Sequence, residues 1–144
     1  MGAELMGRVL VEATIENLKD LWQAESGSRA PEQVRRVTVT DALVDTGATT
    51  LALPTSLIRL LGLNKCYEKR GRSSSGERQV AVHDAVRLRI LDRYCTVDVM
   101  EVPDDVPVLI GQIPLEMMDL VVDSQARRLT GNPAHGGEQV LELY

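Results

Sequence analysis

Phenylalanine is absent, Trp22 is the single tryptophan and three tyrosines complete the aromatics of a 144-residue chain. The core must therefore be built from Val, Leu, Ile and Ala. The same scarcity removes the stacking platforms of single-strand binders, and 16 Lys and Arg against 21 Asp and Glu, a net charge of −5, remove the basic footprint. Nucleic acid is not expected as a partner. No apolar run approaches the ~18–20 residues that span a bilayer. Met1-Gly2-Ala3-Glu4-Leu5-Met6 has no basic region leading into an apolar stretch, so no membrane association and no signal peptide are expected. Gly2 does not make a myristoylation signal, because Met6 stands where Ser or Thr is required. Cys66 and Cys95 are too few for a disulfide scaffold or a four-Cys zinc site, and only His83 and His135 stand beside them. No metal and no other cofactor is expected. Free thiols and missing export signals set a cytoplasmic expectation.

What is present is ordinary globular composition, 44% hydrophobic and 26% charged, at a length that suits a single domain over 1–144. Its patterning is mostly of period two, which predicts a mostly β fold. Arg8 to Ile15 reads as a first strand with Val9, Val11, Ala13 and Ile15 on one face, and Leu18 to Ala24 as a second. Glu25 to Pro31 reads as a loop, and Gln33 to Val44 as a strand that ends in the apolar Ala42-Leu43-Val44. Pro54 opens a short helix to Leu61, stopped by Gly62. Lys65 to Arg70 and Arg78 to Val82 form a hairpin across Gly71-Arg72-Ser73-Ser74-Ser75-Gly76. Strands at Val80 to Leu91 and Tyr94 to Val102 meet at Asp92-Arg93. After a turn at Pro103-Asp104-Asp105, Val106 to Gly111 reads as a buried strand, Pro114 to Asp119 as a second short helix and Leu120 to Val122 as a strand. Arg127 to Leu129 and Gln139 to Leu143 are the last strand candidates.

A pattern recurs along this order. A buried apolar triplet, a glycine, a proline-started short helix and a strand follow Val44 and again follow Ile110, which suggests two similar halves about a local pseudo-twofold axis. The chemistry concentrates at the first of these, Ala42-Leu43-Val44-Asp45-Thr46-Gly47-Ala48-Thr49-Thr50-Leu51. An acidic residue directly after three apolar ones is expected to be partly buried, where an ion is costly unless paired. Thr46 offers a hydroxyl, and Gly47 lets the backbone turn closely beside Asp45. The bland alternative is a strand-to-turn corner in which Asp and Thr cap the backbone.

Val44-Asp45-Thr46-Gly47-Ala48, the hairpin tip at Gly71 to Gly76 and Leu109-Ile110-Gly111 together resemble the retropepsin-like aspartic proteases, and the helix from Pro54 to Leu61 their cellular, prokaryotic-type members. The resemblance covers about Val9 to Gly111, and the order of elements continues to about Leu129. It implies a closed β-barrel, an acid-protease half with one or two short helices, assembled as a homodimer acting on a peptide or protein substrate. It implies Asp45, Thr46 and Gly47 as catalytic residues, with Thr46 of each chain hydrogen-bonding across the twofold axis. Ala48, Thr49, Ser73, Ser74, Ser75, Gly76, Val108 and Leu109 are then the substrate-binding residues, and the hairpin a flap. Thr49 and Thr50 stand where retroviral members carry an acidic pair, and the tip is rich in Ser instead of Ile-Gly-Gly.

Hydrolysis of a peptide by water needs a base to activate the water and an acid to protonate the leaving nitrogen. Two carboxylates sharing one proton do both. The chain has one Asp-Thr-Gly, since Asp123-Ser124 is followed by Gln125, so each chain supplies half a dyad and Asp45 must meet its copy. Terminal residues Val140 to Leu143 are candidates to complete a dimer sheet. The alternative is an inactive peptide-binding or dimerisation module of the same fold, or an unrelated β structural domain. Gly71 to Ser75 fails the G-x-S-x-G elbow at its last position. His83 beside Asp84 reads as a partly exposed strand histidine, since consecutive strand residues face opposite ways. Met117-Met118 reads as helix packing, with Met suited to an adaptable pocket wall.

Overall fold

The computed structural model describes residues 8–143. The targeting readings made on Met1 to Met6 lie outside them. The described residues are mostly β: β1 (Leu10–Asn17), β2 (Arg36–Val44), β3 (Leu51–Pro54), β4 (Lys65–Ser73), β5 (Gly76–Ile90), β6 (Arg93–Val102) and β7 (Leu109–Ile110) form one sheet, and β8 (Leu120–Asp123) with β9 (Arg128–Gly131) a second. The helices are α1 (Leu18–Glu25), α2 (Thr55–Leu60) and α3 (Gln112–Met117). None of these is long and apolar enough to cross a membrane.

The order of the large sheet is β1-β2-β7-β3-β6-β5-β4, and β1 pairs with β5 as well, so the ladder returns on itself and leaves β4 outside the ring. Two of its pairings are parallel: Leu43 and Val44 lie beside Leu109 and Ile110, and Leu51 to Pro54 beside Val99 to Val102. The interior is aliphatic, as the missing aromatics require, with Ile15, Leu51, Leu53, Leu61, Leu88, Ile90, Val99 and Ile110 at 1% exposure or less. Side chains alternate across β6, where Cys95, Val97 and Val99 face inward and Tyr94, Thr96 and Asp98 outward.

Several expectations need correction. Leu18 to Ala24 is a helix and not a strand. Leu18, Leu21 and Trp22 follow helical spacing, and the Asn17 side chain caps the helix by accepting from the Asp20 amide at 3.0 Å. Asp20 is buried because Arg35 grips it through Nε and Nη2, and the Arg35 amide binds it too. The chain thus carries three short α-helices among the described residues where one or two were expected. β3 is a strand the sequence reading passed over. Gln33 ends a 3-10 turn (Pro31–Gln33), so β2 starts only at Arg36. Of Val106 to Gly111 only two residues form a ladder. The hairpin strands run further than expected, with Ser73 opposite Gly76 and Ser74-Ser75 alone at the turn. Gln139 to Leu143 forms no strand among the described residues.

Candidate functional site

Asp45 stands where β2 leaves the sheet. Parallel pairing with β7 carries Leu43 N–H to the Val108 carbonyl (2.8 Å) and Asp45 N–H to the Ile110 carbonyl (2.9 Å). The carboxylate then turns back on its own loop. Its Oδ1 accepts from Gly47 N–H at 2.9 Å, and its carbonyl accepts from Ala48 N–H at 3.0 Å. A side chain at position 47 would bring a Cβ to 3.2 Å from that same Oδ1. Asp45 is half-buried at this corner, and Thr46 and Gly47 are exposed beside it.

The other side of the loop is fixed by α3. The first amides of a helix have no partner within it; here Gly111, Gln112 and Ile113 donate to the carbonyls of Thr50, Ala48 and Thr49 at 3.0, 2.9 and 2.9 Å. This docking is close enough to demand glycine. A Cβ on Gly111 would stand 2.5 Å from the Thr50 oxygen and 2.6 Å from the Ala48 oxygen, both backbone atoms. Leu109-Ile110-Gly111 therefore lies directly under the 45–50 loop. Thr50 is buried, its hydroxyl 3.3 Å from the Asp98 carbonyl.

These constraints match a known pattern: residues 33–113, more than half of the chain, fit the family described as aspartyl protease. The chain belongs to the retropepsin-like aspartyl protease family. No curated protein matches it.

In this member of the aspartyl protease family, Asp45, Thr46, Gly47, Ala48 and Thr49 are brought together in one loop. Leu109 is half-buried on the adjoining strand. Val108, beside it, is 5% exposed and packed in the core. Ser73, Ser74, Ser75 and Gly76 are exposed at the far tip of the β4–β5 hairpin. Ser73 and Ser75 hydroxyls bond each other at 3.0 Å, and among the described residues no hydrogen bond joins the tip to the 45–50 loop.

A cavity of about 300 Å³ opens beside the loop, lined by Thr49 and Thr50, by Tyr67 and Lys69 of β4, and by Ile113 and Met117 of α3, with Val82 and Met100 behind them. Tyr67 and Lys69 were missed in the sequence, although they alternate along β4 as residues sharing a face do. Met117 lines this cavity while Met118, fully buried, packs in the core, which separates the two roles the Met pair offered.

His83, expected to be partly exposed, is instead buried, with Nε2 3.0 Å from Glu101 Oε1 across the β5–β6 ladder. The Thr55 hydroxyl donates to the other Glu101 oxygen at 2.6 Å, and these two bonds hold the Glu101 carboxyl below its usual range. Asp84 instead pairs with Lys19 at 3.1 Å and accepts from the Asn64 amide. Among the described residues no group of three or more His, Cys, Asp or Glu side chains is placed to hold a metal ion.

Proposed function

We propose that the protein is an aspartic endopeptidase in which Asp45 of two chains shares one proton across a twofold axis. The observation that carries the reading is the support of Asp45: a carboxylate half-buried at a corner pinned by β7 on one side and by the start of α3 on the other. One Asp-Thr-Gly per chain makes the site incomplete without a second copy. The return of β1 onto β5 supports a closed barrel as the scaffold.

In this reading the ionised carboxylate takes a proton from a bound water as its oxygen attacks the scissile carbonyl carbon. The protonated carboxyl then gives its proton to the leaving nitrogen as the C–N bond breaks, yielding an acid and an amine. Two like charges a few Å apart do not both ionise, so the pair keeps one proton over a range that belongs to the pair, as in aspartic proteases generally. Thr46, exposed beside Asp45, is available to bond its copy across the axis, and the β4–β5 hairpin to cover the bound peptide and exclude water.

Asp45→Asn tests this. It is expected to abolish cleavage of a denatured protein mixture between about pH 4 and 7, and to leave circular dichroism and solution mass unchanged. Cleavage retained by that variant overturns the proposal, and an intact protein without activity in the parent favours a binding module.

A further inference from the structure

The β4–β5 hairpin is charged against the rest of the chain. From Lys65 to Gln79 it carries five cations, Lys65, Lys69, Arg70, Arg72 and Arg78, against Glu68 and Glu77, a charge of +3 within a chain of −5. Two of these cations are neutralised locally: Lys65 meets Glu68 at 2.8 Å and Arg72 meets Glu77 at 3.5 Å. Lys69, Arg70 and Arg78 have no ion-pair partner among the described residues. An acidic chain that concentrates unpaired positive charge on one hairpin attracts anionic segments there and repels them elsewhere.

The unpaired cations differ in what they face. Side chains alternate along β4, so Tyr67 and Lys69 share one face while Glu68 and Arg70 take the other. The register sets Tyr67 opposite Val82, Lys69 opposite Val80 and Arg70 opposite Gln79. Tyr67, Lys69 and Val82 line the cavity that also reaches Thr49 and Thr50. Glu68, Arg78 and Gln79 line a separate cavity, where Glu101 stands as well. Lys69 is therefore the cation that the hairpin presents to the cavity beside the Asp45 loop.

Lys69 is also held in place. Its Nζ lies 5.5 Å from the centre of the Tyr67 ring, a cation–π contact that steadies the ammonium without neutralising it. Val82, Met100, Ile113 and Met117 make the walls below it apolar. The carboxylate on the lining, Asp98, is exposed on β6 and forms no ion pair with Lys69 among the described residues. A side chain that suits this cavity has methylenes for the Met and Ile surfaces and a negative end for Nζ. Glutamate has both.

We propose that the cavity beside Thr49 is the seat of a substrate glutamate, and that Lys69 makes acidic peptides the substrates of this protein. This rests on the endopeptidase reading of Asp45 and on the hairpin as its cover. Lys69 acts here as a specificity residue. A lysine ammonium is a point charge on a flexible stem, so it selects charge and not a fixed carboxylate geometry. The preference is correspondingly modest and salt-sensitive, because the pair stays open to solvent.

The test has a binding arm and a cleavage arm. In the first, a Glu/Ala peptide carrying an uncharged dye and its Gln/Ala counterpart are titrated with the full chain carrying Asp45→Asn and followed by fluorescence anisotropy. The Glu/Ala peptide is expected to bind about fivefold more tightly in low salt. That difference is expected to vanish at about 1 M salt, where the Debye length is about 3 Å. Adding Lys69→Glu is expected to reverse the order, and adding Arg70→Glu, the same change in charge on the opposite face, to keep it. Equal binding of the two peptides in low salt, a preference that survives Lys69→Glu, or one that is lost equally in both variants overturns the seat. In the second arm the parent digests a denatured protein mixture and the cut sites are read by mass spectrometry. Glutamate is expected to be enriched about fivefold at one position near the cut, and Lys69→Glu to remove that enrichment with circular dichroism unchanged. Cleavage without such enrichment overturns the substrate class. A Glu/Ala preference in a protein whose parent cuts nothing overturns the endopeptidase reading and leaves the seat standing.

Discussion

Gly111 and Ala48 lie in backbone contact: a single methyl group on Gly111 would come within 2.6 Å of the Ala48 carbonyl oxygen. Neither oxygen above Gly111 belongs to a side chain that can swing aside, so relief has to come from moving the loop that presents Asp45. Gly111 has no positive φ, and its requirement is space alone.

Gly111→Ala is accordingly expected to lower peptide cleavage by at least about a hundredfold, because misplacement of about 1 Å has that effect on positioned groups. Overpacking costs about 1–3 kcal/mol of stability. Initial rates on a fluorogenic peptide and a urea unfolding curve measure the two effects, and an unchanged rate would show that the loop tolerates the shift.

The cavity beside Thr49 offers a different handle. Ala85 lines it from β5 and is half-buried. Ala85→Leu fills part of the space from the β5 side. It is expected to raise KM for peptide substrates several-fold, with kcat within about twofold of the parent. Equal KM values would remove the cavity from the substrate path.

Asp20 is expected to be a pH-sensitive support of the fold. The Arg35 guanidinium beside it, together with the Arg35 amide, outweighs burial and holds its carboxyl below the usual range. A carboxyl depressed on folding contributes stability above its unfolded pKa of about 3.9, and that contribution is lost as pH falls through the lower folded value. Asp20→Asn should therefore cost about 2–3 kcal/mol at pH 7, discounted because the Arg35 side chain is partly exposed. The difference from the parent should shrink below about pH 4. Urea titrations at pH 7 and pH 3 make the comparison.

The two thiols should separate cleanly in a labelling experiment. Burial pushes Cys95 up to about 11, and the side chain faces the core. Cys66 is exposed, but local desolvation and its contact with Asp84 Oδ1 at 3.4 Å raise it also. At pH 8 one thiol is expected to react with a maleimide, slowly, and the second only in denaturant. Two fast thiols in the native protein would contradict this packing.

Much of the site was legible because its signals are local. Asp45 follows three apolar residues, so the half-buried corner could be read directly, whereas Leu109-Ile110-Gly111 stood out only through its resemblance to the family. The role of Asp20 could not be read in that way. Its partner Arg35 lies fifteen residues on, and an acidic residue within an alternating stretch resembles an exposed strand position until that partner is known. The helix itself was readable: Asn17 three residues before Asp20 is a capping pattern, and period two was the wrong template for Leu18, Leu21 and Trp22. β3 left little trace, since Leu51 to Leu53 are buried on both faces and their partners lie on β6 and β7. The burial of His83 likewise depends on Glu101, a residue brought near only by the β5–β6 ladder.

The parallel ladder between β2 and β7 has a consequence for synthesis. The strand that delivers Asp45 is complete at Val44, yet the neighbour that fixes it is Leu109–Ile110, some sixty residues later. Closing so long a loop is slow and comes late in folding. The ribosome must have released the chain beyond Ile110 before the Asp45 corner acquires its shape, so under the two-chain reading a nascent copy lacks the geometry of the proposed site until then.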